Sequence, residues 1–276
     1  MDTLVANGKI LDLSIAQVMG IVNMTPDSFH RGSRVTRIDD ALSVIQQMIT
    51  EGATMIDIGG QSSRPRAEKV SPEIELERIG ESVSIVRKAF PNIILSIDTF
   101  HAAVAEQMIH VGVDMINDIS AGTIDDRLID VVADSKVAYV LMHMLGTPLT
   151  MQDTPNYQNP VLEILNYLKL KAHDFRQRGV QNMIIDPGFG FGKTVDQNYE
   201  ILRKMNVFNI LDCPIMVGLS RKSMIYKVLG IDSEEALNGT SVLHLAALQN
   251  GAKILRVHDV KEAIETITLH SKVANA

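Results

Sequence analysis

The stretch IIDPGFGFGKT, Ile184–Thr194, decides the fold, because glycines and a Lys-Thr pair follow directly on an apolar run that reads as a strand. A nucleotide loop here would favour an open, doubly wound sheet. The P-loop needs a glycine five positions before the glycine of its Gly-Lys-Thr, and Pro187 stands there. The dinucleotide pattern G-x-G-x-x-G fails as well, since Lys193 occupies the last glycine position. The run is therefore one strand among several, and the meaning of its terminal Asp186 depends on what the others carry.

Seven further runs of the same kind flank it: QVMGIVN, TMIDIGG, IILSID, DMINDIS, VAYVLMH, PIMVGLS and KILRVHD. Between them lie segments such as DDALSVIQQMITEG, SPEIELERIGESVSIVRKAF and NPVLEILNYLKLKAHDFRQRG, with apolar residues every three or four positions. Strands that are almost continuously apolar belong to parallel sheets covered by helices, and eight alternating units in a chain of 276 residues match a (β/α)8 TIM barrel. The leading LVANGKILDLS predicts a short N-terminal hairpin under the barrel floor. No linker-like composition divides the chain, so 1–276 reads as a single domain.

Composition excludes several classes. No apolar run approaches the ~20 residues of a membrane span, and the first residues, MDTLVANGKILDLS, lack the basic-then-apolar order of a signal peptide. A cytoplasmic protein with no membrane partner is expected. Cys213 is the only cysteine, which excludes an internal disulfide, and a net charge of −7 argues against a general nucleic-acid partner.

In a barrel of this kind chemistry collects where the strands end. Asn23, Asp57, Asp98, Asn117 with Asp118, His143, Asp186, Ser220, and Arg256 with His258 stand at the ends of the eight runs in order. Asp and Asn commonly end strands and cap helices, but polar residues at all eight ends point to a site. Arg31, Arg64, Arg66, Lys193, Arg221, Lys222, Arg256 and His258 map to the same side, so an anionic ligand is expected. SRKSMI runs straight into a helix, placing backbone N–H groups near Ser223 for an anion, with Lys222 beside them. Asp98, Asn117 and Asp186 bring two carboxylates and an amide from three strands, a set suited to a flat heterocycle with an amino-pyrimidinone edge. The glycines after Asp186 let backbone and Phe191 approach that ring. The first two loops, NMTPDSFHRGSRVTRI and QSSRPRAEKVS, exceed the usual two to six residues and are expected to act as lids.

QVMGIVNMTPDSF, IDIGGQSSRP, LSIDTF, INDIS, LMHM, DPGFGFGK, VGLSRKSMI and RVHDV, in this order, resemble the motifs of the dihydropteroate synthases over nearly the whole chain. The resemblance implies a folate-pathway transferase that joins 4-aminobenzoate to 6-hydroxymethyl-7,8-dihydropterin diphosphate, releases pyrophosphate, requires Mg²⁺, works as a homodimer and is a sulfonamide target. Carried over, it assigns Asp98, Asn117, Asp186 and Lys222 to the pterin, with Met142 packing nearby. It assigns Arg256, His258 and Ser63 to the diphosphate and Asn23 to the metal, and places 4-aminobenzoate among Phe29, Arg64, Pro65, Lys222 and Ser223. Lys222, Asp98 and Asp186 are then the catalytic residues. The chain departs from the family at SFHRGS, which usually reads SFSDGG, and at GGQSSRPR, which usually reads GGESTRPG; Arg31, Gln61 and Arg66 are the marked changes. A pterin-binding methyltransferase, which would not need the anion contacts of SRKS and RVHD, is the nearer alternative. A non-catalytic pterin-binding protein is the other. His143, inside LMHM, reads as a hydrogen-bonded core histidine, and no spacing resembles a zinc site.

Overall fold

The structure, a computed structural model, describes residues 2–24, 38–62, 69–151, 153 and 155–275. An antiparallel hairpin, β1 (Thr3–Ala6) and β2 (Lys9–Asp12), precedes the barrel. The barrel strands are β3 (Gln17–Asn23), β4 (Met55–Gly59), β5 (Ile94–Asp98), β6 (Met115–Asp118), β7 (Ala138–Met142), β8 (Met183–Asp186), β9 (Ile215–Val217) and β10 (Ala252–Val257). All eight pair in parallel, and β10 closes on β3. The predicted TIM barrel and hairpin are both present.

Around the barrel run α1 (Ile38–Thr50), α2 (Pro72–Ala89), α3 (Ala102–Val111), α4 (Arg127–Ala133), α5 (Pro160–Gln177) and α6 (Val195–Arg203). They are followed by α7 (Ser223–Leu229), α8 (Leu237–Gln249) and α9 (Val260–Ala274). Local chemistry sets their starts. Ser71 and Asn159 accept from the backbone N–H three residues on, each with proline at the next position, and Thr194 forms a reciprocal capping box with Gln197.

Side-chain alternation along each strand sorts the interior into layers. Met19, Met55, Ile94, Met115, Val140, Ile184, Met216 and Ile254 form an apolar floor with Leu4, Ala6, Leu11 and Leu13 of the hairpin segment. Two positions further along the strands the same inward face carries Asp57, Ser96, Asn117, Asp186 and Arg256. Period-2 geometry thus places a polar ring directly on an apolar plug, and Asp98 stands one step higher on β5. Among the described residues no helix is long and apolar enough to cross a membrane.

Candidate active site

The polar ring is held together by its own hydrogen bonds. Arg256 donates from Nε to Asp57 Oδ2 at 2.7 Å and from Nη2 to Asp98 Oδ2 at 2.8 Å. Asn117 donates from Nδ2 to the same Asp57 oxygen at 2.9 Å. Asp57 is fully buried, and its Oδ1 has no partner among the described residues. Burial pushes the Asp98 carboxyl up to about 7 against the opposing pull of Arg256, with Asp57 adding to the rise. Burial also raises Asp186, which Lys222 and the Gly188 N–H counter. Lys222 is lowered by burial to about 8 while Asp186 pulls it back up.

Asp186 ends β8 and accepts the Gly188 N–H at 2.7 Å through Oδ1. Gly188 is required there: it has φ +73°, and a Cβ would come within 1.9 Å of the His143 carbonyl oxygen. Lys222 donates to Phe189 O, and its ammonium lies 4.6 Å from the Phe191 ring centroid. Phe191 packs on an apolar wall that includes Met142, Phe100, Ile119 and Met144. Ser223 opens α7, and Ser220 lies 3.0 Å from His258 Nδ1. On the rim, Asn23, Gly59 and Asp98 stand in register on adjacent strands. Gly59 lacks a side chain between them: a Cβ there would lie 3.7 Å from Asn23 Oδ1 and 3.5 Å from Asp98 Cβ, so the glycine leaves open the space between two oxygen-bearing side chains.

Asp98, Asn117, Asp186, Met142, Phe191, Lys222, Ser223, Arg256, His258 and Asn23 thus lie at or just beyond the carboxyl ends of the strands. Phe29, Ser63, Arg64 and Pro65, with Arg31, Arg66 and the larger part of both expected lids (25–37 and 63–68), lie outside the described residues. Other readings need correction. Lys193 is not a mouth cation: it is buried and donates to His143 Nδ1, His143 O, Gly188 O and Phe191 O, fastening the loop after β8 from behind. Burial lowers it to about 7. Arg221 is also committed elsewhere, to both oxygens of Asp259 and to the Ser233 and Glu234 carbonyls. Asp118 turns away from the mouth and accepts from Ser120 N, Gly122 N and Tyr139 Oη. Asp57 does not end its strand, which runs on to Gly59. His143 is a core residue as read, edge-on to Tyr167 at 4.9 Å and held neutral by burial.

One cluster was missed. Glu75, on the inner face of α2, is fully buried and accepts at Oε2 from Gln61 Nε2 (3.0 Å) and Thr99 Oγ1 (3.1 Å). Burial pushes its carboxyl up to about 8, and Glu75 Oε1 and Gln61 Oε1 are both buried without a donor among the described residues. A proton on the carboxyl turns one of these two orphan acceptors into a donor. Thr99 directly follows Asp98, so the cluster braces the strand end that carries a ring-facing acid. The helical stripe 75–79–83 in α2 is the signal that could have found it.

Comparison with known proteins agrees with this arrangement. Residues 19–258 match the family described as pterin binding enzyme. The chain is 42% identical over 275 residues to the dihydropteroate synthase of Haemophilus influenzae, covering 99% of each. Its fold superposes on a Yersinia pestis dihydropteroate synthase solved with a sulfonamide drug complex at a TM-score of 0.95, with 37% identity and coverage of 99% and 100%. The Thermus thermophilus dihydropteroate synthase in complex with 4-aminobenzoate gives a TM-score of 0.88 at 32% identity, with coverage of 98% and 99%.

Proposed function

We infer the reaction of this chain from its family: it belongs to the pterin binding enzymes, and within them it is a dihydropteroate synthase, a transferase. The reaction joins 4-aminobenzoate to the methylene of 6-hydroxymethyl-7,8-dihydropterin diphosphate and expels pyrophosphate. The observation that carries this reading at the level of residues is the Arg256 guanidinium, held between Asp57 and Asp98 on one side of a ring that also includes Asn117 and Asp186.

The pterin edge lies against Asp186, Asn117 and Asp98, whose oxygens accept from ring N–H and amine groups, while Lys222 donates from the opposite side. Phe191 and Met142 supply the apolar wall. As the C–O bond lengthens, positive charge grows on the methylene and its conjugated ring, and the two carboxylates stabilise it. Negative charge grows on the diphosphate, which Arg256 and His258 receive. The arylamine is a weak nucleophile, so bond breaking leads bond making in a dissociative substitution. The family resemblance assigns its carboxylate to Lys222 and Ser223 at the start of α7, Phe29, Arg64 and Pro65 to the same substrate, and Ser63 to the phosphates.

Mg²⁺ fits the residues present as an ion shared with the substrate rather than one caged by the protein. Among the described residues no cluster of three or more acidic, His or Cys side chains could hold a metal. Asn23 offers one amide oxygen beside the gap that Gly59 leaves, and Mg²⁺ commonly takes one or two protein oxygens plus phosphate. When bound, it would neutralise charge on the departing diphosphate. A homodimer is supported by apolar side chains exposed on neighbouring helices: Val228 and Leu229 on α7, Val242 and Leu245 on α8, Leu269 and Val273 on α9. Sedimentation tests this, because alanines at Val242 and Leu245 should shift the protein to monomer.

The reaction is tested by pyrophosphate release with the pterin diphosphate and Mg²⁺, with and without 4-aminobenzoate. Release that requires both substrates is expected. Release of methyl groups to a corrinoid, or pterin binding with no turnover, would replace this reading.

A further inference from the structure

We propose that Asp57 is a positioning residue of this site, whose one oxygen sets both the face that Asn117 presents to the pterin and the plane in which Arg256 meets the diphosphate. The inference rests on the pterin diphosphate reading and deepens it. Asp57 faces inward from the middle of β4, between Met55 of the floor and Gly59 of the rim. Packing alone does not demand an acid there: its in-register neighbours are Ile21 on β3 and the uncharged Ser96 on β5, and a buried carboxylate carries a desolvation cost that an apolar residue would avoid.

What the acid supplies is direction. A carboxylate only accepts, so Asn117 must turn its NH₂ toward Asp57 Oδ2 (2.9 Å). Its carbonyl oxygen then faces the opposite way, toward ring N–H groups. Without Asp57 the amide could rotate by half a turn and offer the ring the wrong atom. The same oxygen takes Arg256 Nε at 2.7 Å, while Asp98 takes Nη2 at 2.8 Å. Two acids on adjacent strands thereby fix the guanidinium plane, and Nη1, which bonds to none of the described residues, is offered to the leaving group. Asp57 touches neither ring nor phosphate in this scheme and works through its two partners.

The test is a swap read by equilibrium binding of two probes, 6-hydroxymethylpterin and inorganic pyrophosphate, alongside thermal unfolding. The parent must bind both; failure there removes the pterin diphosphate reading itself. Asp57→Asn is expected to weaken both probes by about tenfold, the worth of one hydrogen bond to a charged group. Asn117→Asp, which sets two acceptors face to face, should weaken only the pterin, again by about tenfold, at pH 8. In the swapped pair D57N/N117D the amide again meets a carboxylate, with the donor on the other side. Pterin affinity is then expected to return to within about threefold of the parent while pyrophosphate affinity stays low, because the neutral amide now on β4 no longer gives Arg256 an anion. A swap that leaves the pterin loss equal to the sum of the singles overturns the proposal. So does a folded D57N with parental affinity for both probes. Should D57N fail to fold, the swap and N117D still decide, since N117D with undiminished pterin affinity at pH 8 is incompatible with the proposed donor role.

Discussion

Replacing Glu75 with glutamine should make the protein more resistant to alkaline unfolding. In the fold Glu75 titrates at about 8, against 4.5 for an ordinary glutamate, chiefly because burial disfavours its charged form. A group raised in the folded state stabilises fully below its unfolded value, and that contribution is lost as pH climbs through the folded value. From pH 6 to pH 9 the parent therefore surrenders about 3 kcal/mol at this one carboxyl, at about 1.4 kcal/mol per pH unit up to 8. Glu75→Gln has no proton to lose and keeps an acceptor for Gln61 Nε2 and Thr99 Oγ1. Asp98, Lys193 and Lys222 titrate in the same range but are shared by both proteins, so the difference between parent and variant isolates Glu75. Urea midpoints at pH 6 and pH 9 measure it. Equal losses in the two proteins across that window would refute a neutral Glu75. Gln61→Glu, which restores the family's usual residue, sets a second acid against the first and should steepen the alkaline loss.

Three other perturbations follow from the site. Arg256→Met leaves Asp57 and Asp98 facing each other with no cation, so it should lower stability by about 3–5 kcal/mol and abolish pyrophosphate release, read by chemical unfolding and steady-state kinetics. Gly188→Ala puts a Cβ 1.9 Å from the His143 carbonyl oxygen in a left-handed backbone; it should cost at least about 3 kcal/mol and raise KM for the pterin substrate more than for 4-aminobenzoate. Lys193→Met removes the donor shared by three carbonyls and His143, so both Tm and pterin affinity should fall, whereas removing a free mouth cation would lower only affinity and its salt dependence.

The residues most legible in the sequence were those whose direction follows from strand alternation. Asp98, Asn117, Asp186 and Arg256 stand at or near strand ends on the inward face, and period 2 fixes where such side chains point. The hairpin was equally plain, since Leu4, Ala6, Leu11 and Leu13 needed an apolar surface and the floor was the one available. Lys193 and Arg221 misled because a charge in a loop has no period: whether it faces solvent or turns inward depends on carbonyls supplied by residues 143, 188 and 191, or by 233 and 234. Asp57 was placed on the right strand but at its end rather than in its middle. Reading Met55, Asp57 and Gly59 as alternate inward positions would have shown an acid one layer below an empty rim position. Glu75 was hidden for the opposite reason, as an acid in the first turn of a helix usually serves the dipole and stays in water.

The floor of strand side chains and hairpin makes the barrel a cul-de-sac. With one doorway for every arrival and departure, the occupant of the innermost berth has to come in ahead of its neighbour nearer the threshold. It also cannot go until that neighbour moves or becomes joined to it. A queue of this kind follows from the apolar side chains packed at the far end of the barrel, those of the strands together with those of the hairpin segment.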